Sequence, residues 1–354
     1  MQRASNRLEL IDFLRGIAIL EMLVTHFSTY FPPLASKVIT YTETAMALFV
    51  LLAGFMVGRE CQKFAMSPER QTIVLWKRAL RIVIVQCVII VTVGVPLHLL
   101  GMPGAGAGES LSEFLARSVT LQNQIGLIHI LPTFIPLFAV SPLILWALSR
   151  NLNAAVLTVS VALFCLGHYR PYLLDLGDPT IFPFLLFQLY FVIGCTLGTY
   201  SSIRHSVELE HPKRWFAFSV ALLAASMFVV HSKVLPPGLV STHPLNLFGL
   251  AYHVPIILAL CLFSMSYLSV LQRVWGYSLV TRFGRHALLA FVLHLYLAKV
   301  IGVLNHFATV PAVLNYILVL ASVAAMDAAI RSYEARRTRP DPPGWTRAVG
   351  ALFR

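Results

Sequence analysis

Four ionisable residues, Asp12, Arg15, Glu21 and His26, fall within the first apolar stretch of the chain. A lipid-spanning helix carries such residues at a cost of about 2.5–3.5 kcal/mol each, which makes them candidates for chemistry. Arg15 and His26 are eleven residues apart. On a helix that leaves them roughly 20° out of register and about 16 Å apart along one face. Asp12, Arg15, Met22 and His26 therefore share a stripe. A neutral imidazole, with an unperturbed pKa of about 6.5, is suited to taking a proton from a hydroxyl group. The stripe also suits a structural role, in which Asp12 and Arg15 pair at i, i+3 and His26 hydrogen-bonds at the interface. Glu21 lies roughly opposite Asp12 and is expected to contact another helix.

A second candidate is the basic run Lys77, Arg78 and Arg81. Arg78 and Arg81 are i, i+3 neighbours, so both guanidinium groups can face one anion, and arginine binds phosphate in bidentate fashion. Anchoring against lipid head groups would use the same residues. Most of the histidines map to expected outer loops or outer helix halves and suit satisfied polar roles, with His294 near mid-membrane. Lys299 is placed either to snorkel outward or to serve a site.

The elements that must position these residues are apolar. The chain has 354 residues, 58% hydrophobic and only 12% charged, against roughly 25% charged in a soluble domain. Apolar runs near the bilayer-spanning length recur from end to end. The expected spans lie near residues 10–30, 43–58, 79–100, 125–148, 153–167, 181–200, 215–231, 247–271, 286–303 and 310–330. Uninterrupted runs of this kind are helical in lipid. The predicted class is all-α, a polytopic membrane bundle of about ten transmembrane helices, with one domain over 1–330 and a basic tail over 331–354. Pro132, Pro136 and Pro142 predict a kinked or broken fourth helix. The first stretch has no small-residue cleavage site and is expected to be retained.

Lys and Arg alternate strongly between successive connections. The odd-numbered ones hold 21 of the 27 basic residues and the even-numbered ones 4. By the positive-inside rule both termini face the cytoplasm. The net charge of +12 is then topogenic and does not point to a nucleic-acid partner. The five cysteines are widely scattered without a CxxC pair, which argues against a disulfide frame or a metal site.

The segment RLELIDFLRGIAILEMLVTHF resembles the first helix of the acyltransferase 3 superfamily, whose hallmark is an Arg or Lys followed after ten residues by His. Arg15 and His26 match that spacing. Arg78 and Arg81 match the R-x-x-R pair at the start of the family's third helix, and LFVLLAGFMVG looks like its second. HILPTFIPLFAVSPLILW and FPFLLFQLYFVIGCTLG look most like the OpgC-type branch, associated with succinylating periplasmic glucans. GRHALLAFVLHLYLA resembles the family's penultimate helix. Phe134 stands near a position where many members carry glutamate.

The resemblance implies an integral-membrane O-acyltransferase of the bacterial inner membrane. Its co-substrate would be cytosolic acyl-CoA, acetyl-CoA or succinyl-CoA, and its acceptor a hydroxyl of an extracytoplasmic glycan or related molecule, with no metal. By that analogy His26 is catalytic, Arg15 with Asp12 supports it or the donor, and Arg78 and Arg81, flanked by Lys77, bind coenzyme A phosphates. The rival class is a secondary transporter or a lipid or glycan flippase, which would share the basic inner loops and intramembrane charges. A transporter commonly has two related halves with matching broken helices, and the proline-rich segment has no such partner in the other half.

Overall fold

The computed structural model describes residues 2–27, 44–63, 67–102, 108–120, 130–170, 173, 184–200, 212–231, 247–308 and 310–337. Among them every regular element is helical. A helix occupies each stretch that hydropathy marks. These are α1 (Gln2–Phe27), α2 (Ala45–Lys63), α3 (Pro68–Leu99), α5 (Ile130–Ser149), α6 (Asn153–Tyr169), α7 (Phe184–Tyr200), α8 (Pro212–His231), α9 (Leu247–Ser266), α12 (Ala287–Phe307) and α13 (Ala312–Arg337). Shorter helices α4 (Leu111–Val119), α10 (Leu268–Leu271) and α11 (Tyr277–Arg285) lie in the connections. Among the described residues, α3, α5, α12 and α13 are long and apolar enough to cross a membrane, and shorter apolar segments fall in α2, α6, α7, α8 and α9. The chain is a membrane protein.

The chain divides into two compact units, Met1–Met46 with His211–Val220 and Ile256–Arg354, and Ala47–Glu210 with Ala221–Pro255. In the second unit α2 and α7 meet through two G-x-x-x-G faces. Ideal Cβ atoms on Gly54 and Gly58 would fall 2.1 and 2.2 Å from the carbonyl oxygens of Phe191 and Cys195. Those on Gly194 and Gly198 would fall 2.1 and 2.2 Å from those of Leu51 and Phe55. Only glycine allows this approach, which trades side chains for backbone contact and Cα–H···O interactions. Leu51 meets Gly194 and Phe55 meets Gly198, so the helices run parallel. Helices α6 and α7 run antiparallel. Asn153 donates to the Tyr200 hydroxyl at one end, and Gln188 is held by Ser160 within the pair through contacts of 2.7 Å to its hydroxyl and its carbonyl.

Of the kink or break that the prolines predict in the fourth apolar helix, the break is not found among the described residues. Pro136 and Pro142 both lie inside a continuous α5, and Pro132 falls in its first turn. Pro142 cannot donate to the carbonyl of Phe138, and the Ser141 hydroxyl donates to that oxygen instead, at 2.8 Å. The Trp76 indole of α3 donates to the nearby Ala139 carbonyl at 3.2 Å. In α3 a proline has more effect. Pro96 offers no N–H to the turn before it, and residues Ile90–Gly94 widen into a π turn, with the Val95 N–H reaching the carbonyl of Ile90.

In the first unit α1 packs against α11 and α12. Ideal Cβ atoms on Gly16 and Gly284 would lie 1.9 Å from the Val280 carbonyl oxygen and 1.6 Å from that of Asp12. Phe13 stacks on Tyr277 beside this crossing, with ring centroids 4.9 Å apart. Helix α13 returns along α12. Asn305 and Asn315 pair at one end, 3.0 Å from Nδ2 to Oδ1, and His286 meets Glu334 at 2.9 Å at the other. The last helix continues to Arg337, past the expected end of the span, so the tail begins as helix.

Candidate active site

Near its end α1 brings His26 against α12, where its Nδ1 lies 3.1 Å from Nε2 of His294. The ring centroids are 5.1 Å apart and the planes differ by 20°. The N···N contact plus the two ring radii nearly spans that centroid separation, so the rings meet edge to edge, as an N–H···N bond requires. His26 is half-buried. His294 is fully buried, and Phe291 packs edge-on against it at 4.9 Å. The predicted imidazole is therefore held by a second one, 268 residues away in sequence, rather than only satisfied at an interface.

Glu21 contacts Thr44, the residue just before α2. Its carboxylate accepts the Thr44 N–H at 2.7 Å and lies 3.4–3.5 Å from the Thr44 hydroxyl. A carboxylate there satisfies a donor at the start of α2, where the helix dipole favours negative charge.

Midway along α1, Asp12 is paired across elements. Its Oδ2 is 4.0 Å from Nε of Arg285, and Arg15 and His286 add their fields. Arg285 also reaches Glu334 at 3.9 Å. Arg282 bonds Asp327 and lies 3.5 Å from Glu334, while Arg331 bonds Asp327 at 2.7 Å. This network ties the middle of α1, through α11, to the last turns of α13. Removing one partner of such a half-buried cluster leaves an uncompensated charge, so it fixes α1 more than each pair's net worth suggests.

Lys77, Arg78 and Arg81 belong to the other unit, near the start of α3. The buried stripe of α3 includes Leu75, Ala79, Ile82 and Gln86. Arg78 flanks that stripe and is half-buried, as is Arg81, whereas Lys77 is exposed on the far side. Phe134, near the family's glutamate position, is core. It meets Phe49 edge-on at 5.8 Å and stacks on Phe138 at 5.9 Å.

Several other histidines have packing or hydrogen-bonding partners. His98 stacks on Phe114 at 4.7 Å, and His253 Nδ1 is 3.2 Å from the Tyr190 hydroxyl. Lys299 is half-buried on α12. His129 lies outside the described residues. Sequence reasoning passed over Asp327, although an acid inside an expected span is itself a signal. It noted His294 by depth but had no means of pairing it with His26.

The family model for OpgC protein matches residues 7–338, nearly the whole chain. No curated protein and no solved structure matches it.

Proposed function

The chain belongs to the OpgC protein family, and from that premise we propose that it is an integral-membrane O-acyltransferase, a member of the wider acyltransferase 3 superfamily that modifies a glucan or related glycan. The placement of His26 carries the reading, a half-buried imidazole that a second histidine holds at 3.1 Å. His26 is the general base. A sugar hydroxyl is too weakly acidic to ionise at neutral pH, so its proton must leave as its oxygen attacks the thioester carbonyl. The C–O bond forms, the C–S bond breaks, and the imidazolium returns the proton to the departing sulfur. A positioned base of this kind contributes about a hundredfold to ten-thousandfold.

The donor is acyl-CoA from the cytosol, carrying an acetyl or succinyl group. Arg78 and Arg81 supply charge-assisted hydrogen bonds to its phosphates, and half-burial favours that role because it strengthens such bonds. Lys77 adds general positive charge. Asp12 and Arg15 stabilise the middle of the helix that carries the base. The protein sits in the inner membrane, with about ten spans and both termini cytoplasmic. The alternating charge supports that arrangement, as does the parallel pair α2 with α7.

A transporter or flippase draws less support, since the fourth apolar helix that it would use as a broken element is continuous. Mass spectrometry of envelope glycans from cells with and without the protein tests the proposal. Acyl substituents should disappear with it. Unchanged glycans, with a small molecule or lipid redistributed across the membrane, would favour the rival.

A further inference from the structure

Taking His26 as the base of an acyltransferase, a reading on which this assignment rests, we propose that Lys299 selects the acyl donor. Its ammonium group pairs with a carboxylate at the far end of the acyl chain. The preferred donor is then the half-thioester of a short dicarboxylic acid, such as succinyl-CoA, rather than acetyl-CoA.

Lys299 stands deep within its helix. Helix α12 runs from Ala287 to Phe307, which puts Lys299 about 18 Å from its start and about 12 Å from its end. A four-carbon stem falls well short of both, so snorkelling to the head groups is not open to it. Side chains on a helix also lean toward its N-terminus. For Lys299 that is back toward the level of His294, away from the nearer end.

The line of α12 on which Lys299 stands is a packed one. Leu295 and Val292, four and seven residues earlier, share that line, and both are buried. Val300 and Leu304, both exposed, mark the open side of the helix about a third of a turn away. Lys299 itself is half-buried, and among the described residues it has no ion pair and no hydrogen bond. An ammonium group held inside a membrane, against protein and without a counter-ion, is costly. An anion that arrives with the substrate accounts for it.

Distance favours the donor as the source of that anion. Lys299 is five residues past His294, about 7.5 Å along α12 and about 140° around it, or about 9 Å between Cα atoms. His294 touches His26 at 3.1 Å, and a thioester under attack must sit beside His26. In a succinyl chain the carbonyl and carboxylate carbons are about 4 Å apart. With a charge-assisted bond of about 2.8 Å and the lysine stem, that length covers the separation. A neutral sugar hydroxyl offers the ammonium no charge, and an acetyl group has no second polar end.

Full-length protein in lipid nanodiscs, given succinyl-CoA or acetyl-CoA with a glucan acceptor, tests the assignment. The wild type should favour succinyl-CoA in kcat/KM by at least about tenfold, the worth of one charge-assisted hydrogen bond. Lys299→Met and Lys299→Gln remove the charge and should each abolish the preference, losing succinyl transfer far more than acetyl transfer. In a His26→Gln background, which holds the donor without turning it over, the ratio of the two dissociation constants should change in the same way. No donor preference in the wild type, equal loss with both donors in the variants, or a preference that survives them would each overturn the proposal. Wild-type protein that binds both thioesters but transfers from neither would instead overturn the reading of His26 as a base. The ratio of dissociation constants with and without Lys299 still decides the pairing in that case.

Discussion

Replacing Gly284 by alanine inserts one methyl where α1 and α11 touch backbone to backbone. Its carbon would sit 1.6 Å from the carbonyl oxygen of Asp12, 2.5 Å from the carbonyl carbon and 2.8 Å from the nitrogen of Gly16. Ordinary contact begins at 3.4 Å, so the helices must part by up to 1.8 Å along that direction. All three obstructing atoms are backbone, and no rotamer change can relieve them. Overpacking costs about 1–3 kcal/mol, and a clash against backbone belongs at the upper end. Parting also stretches the Asp12–Arg285 contact beyond its present 4.0 Å. If α1 moves as a rigid rod, a 1.8 Å shift would lengthen the 3.1 Å histidine contact to as much as 4.9 Å and break it. Gly284→Ala should therefore lower stability in detergent unfolding by about 3 kcal/mol and lower kcat although it alters no titratable group. A variant within about 0.5 kcal/mol of wild type, the range of a neutral surface change, would show that the crossing is looser than described.

Other outcomes follow from the same geometry. Alanine at both Arg78 and Arg81 should raise the donor dissociation constant at least about tenfold, since charge-assisted hydrogen bonds contribute about 1.5–3 kcal/mol each. Acyl-CoA titration calorimetry with a well-folded double variant checks this. Gly58→Val should weaken the α2–α7 pair, lowering the thermal midpoint, because its Cβ would meet the Cys195 carbonyl at 2.2 Å. Glu113 completes a capping box with Ser110 at the start of α4, and the Ser110 hydrogen bonds hold its carboxyl below the ordinary 4.5. A depressed carboxyl contributes stability above its unfolded pKa and loses it as pH falls through the folded one. Amide exchange in the first turn of α4 should accelerate only below that ordinary value, and Glu113→Gln should flatten the dependence. Reporter fusions after Arg150 and Arg204 should report cytoplasm, and fusions within 101–108 the outside.

Much of the fold is legible in the sequence because lipid leaves so few alternatives. Long apolar runs must be helical, and a helix stands at each. The stripe from Asp12 to His26 follows from spacing alone. What is hidden depends on long-range contact. His294 and His26 are brought together by α11 and α12 docking on α1, which no local pattern encodes. The Asp12–Arg285–Glu334 network is non-local in the same way. Other features were written in the chain but carried no weight there. Gly54-x-x-x-Gly58 and Gly194-x-x-x-Gly198 are visible as a motif, and Ser110 three residues before Glu113 is a capping signal. The proline-rich helix stays continuous, and Ser141 supplies the donor that satisfies the carbonyl Pro142 leaves open.

The central claim is that His26 removes the proton of an acceptor hydroxyl during acyl transfer. Purified protein in proteoliposomes, given acyl-CoA radiolabelled in the acyl group and a glucan acceptor, measures this directly. The wild type should label the glucan. His26→Gln should lower turnover by at least about a hundredfold while binding acyl-CoA as tightly as the wild type. A His26→Gln protein that labels the glucan at near the wild-type rate would contradict the account and put the base elsewhere.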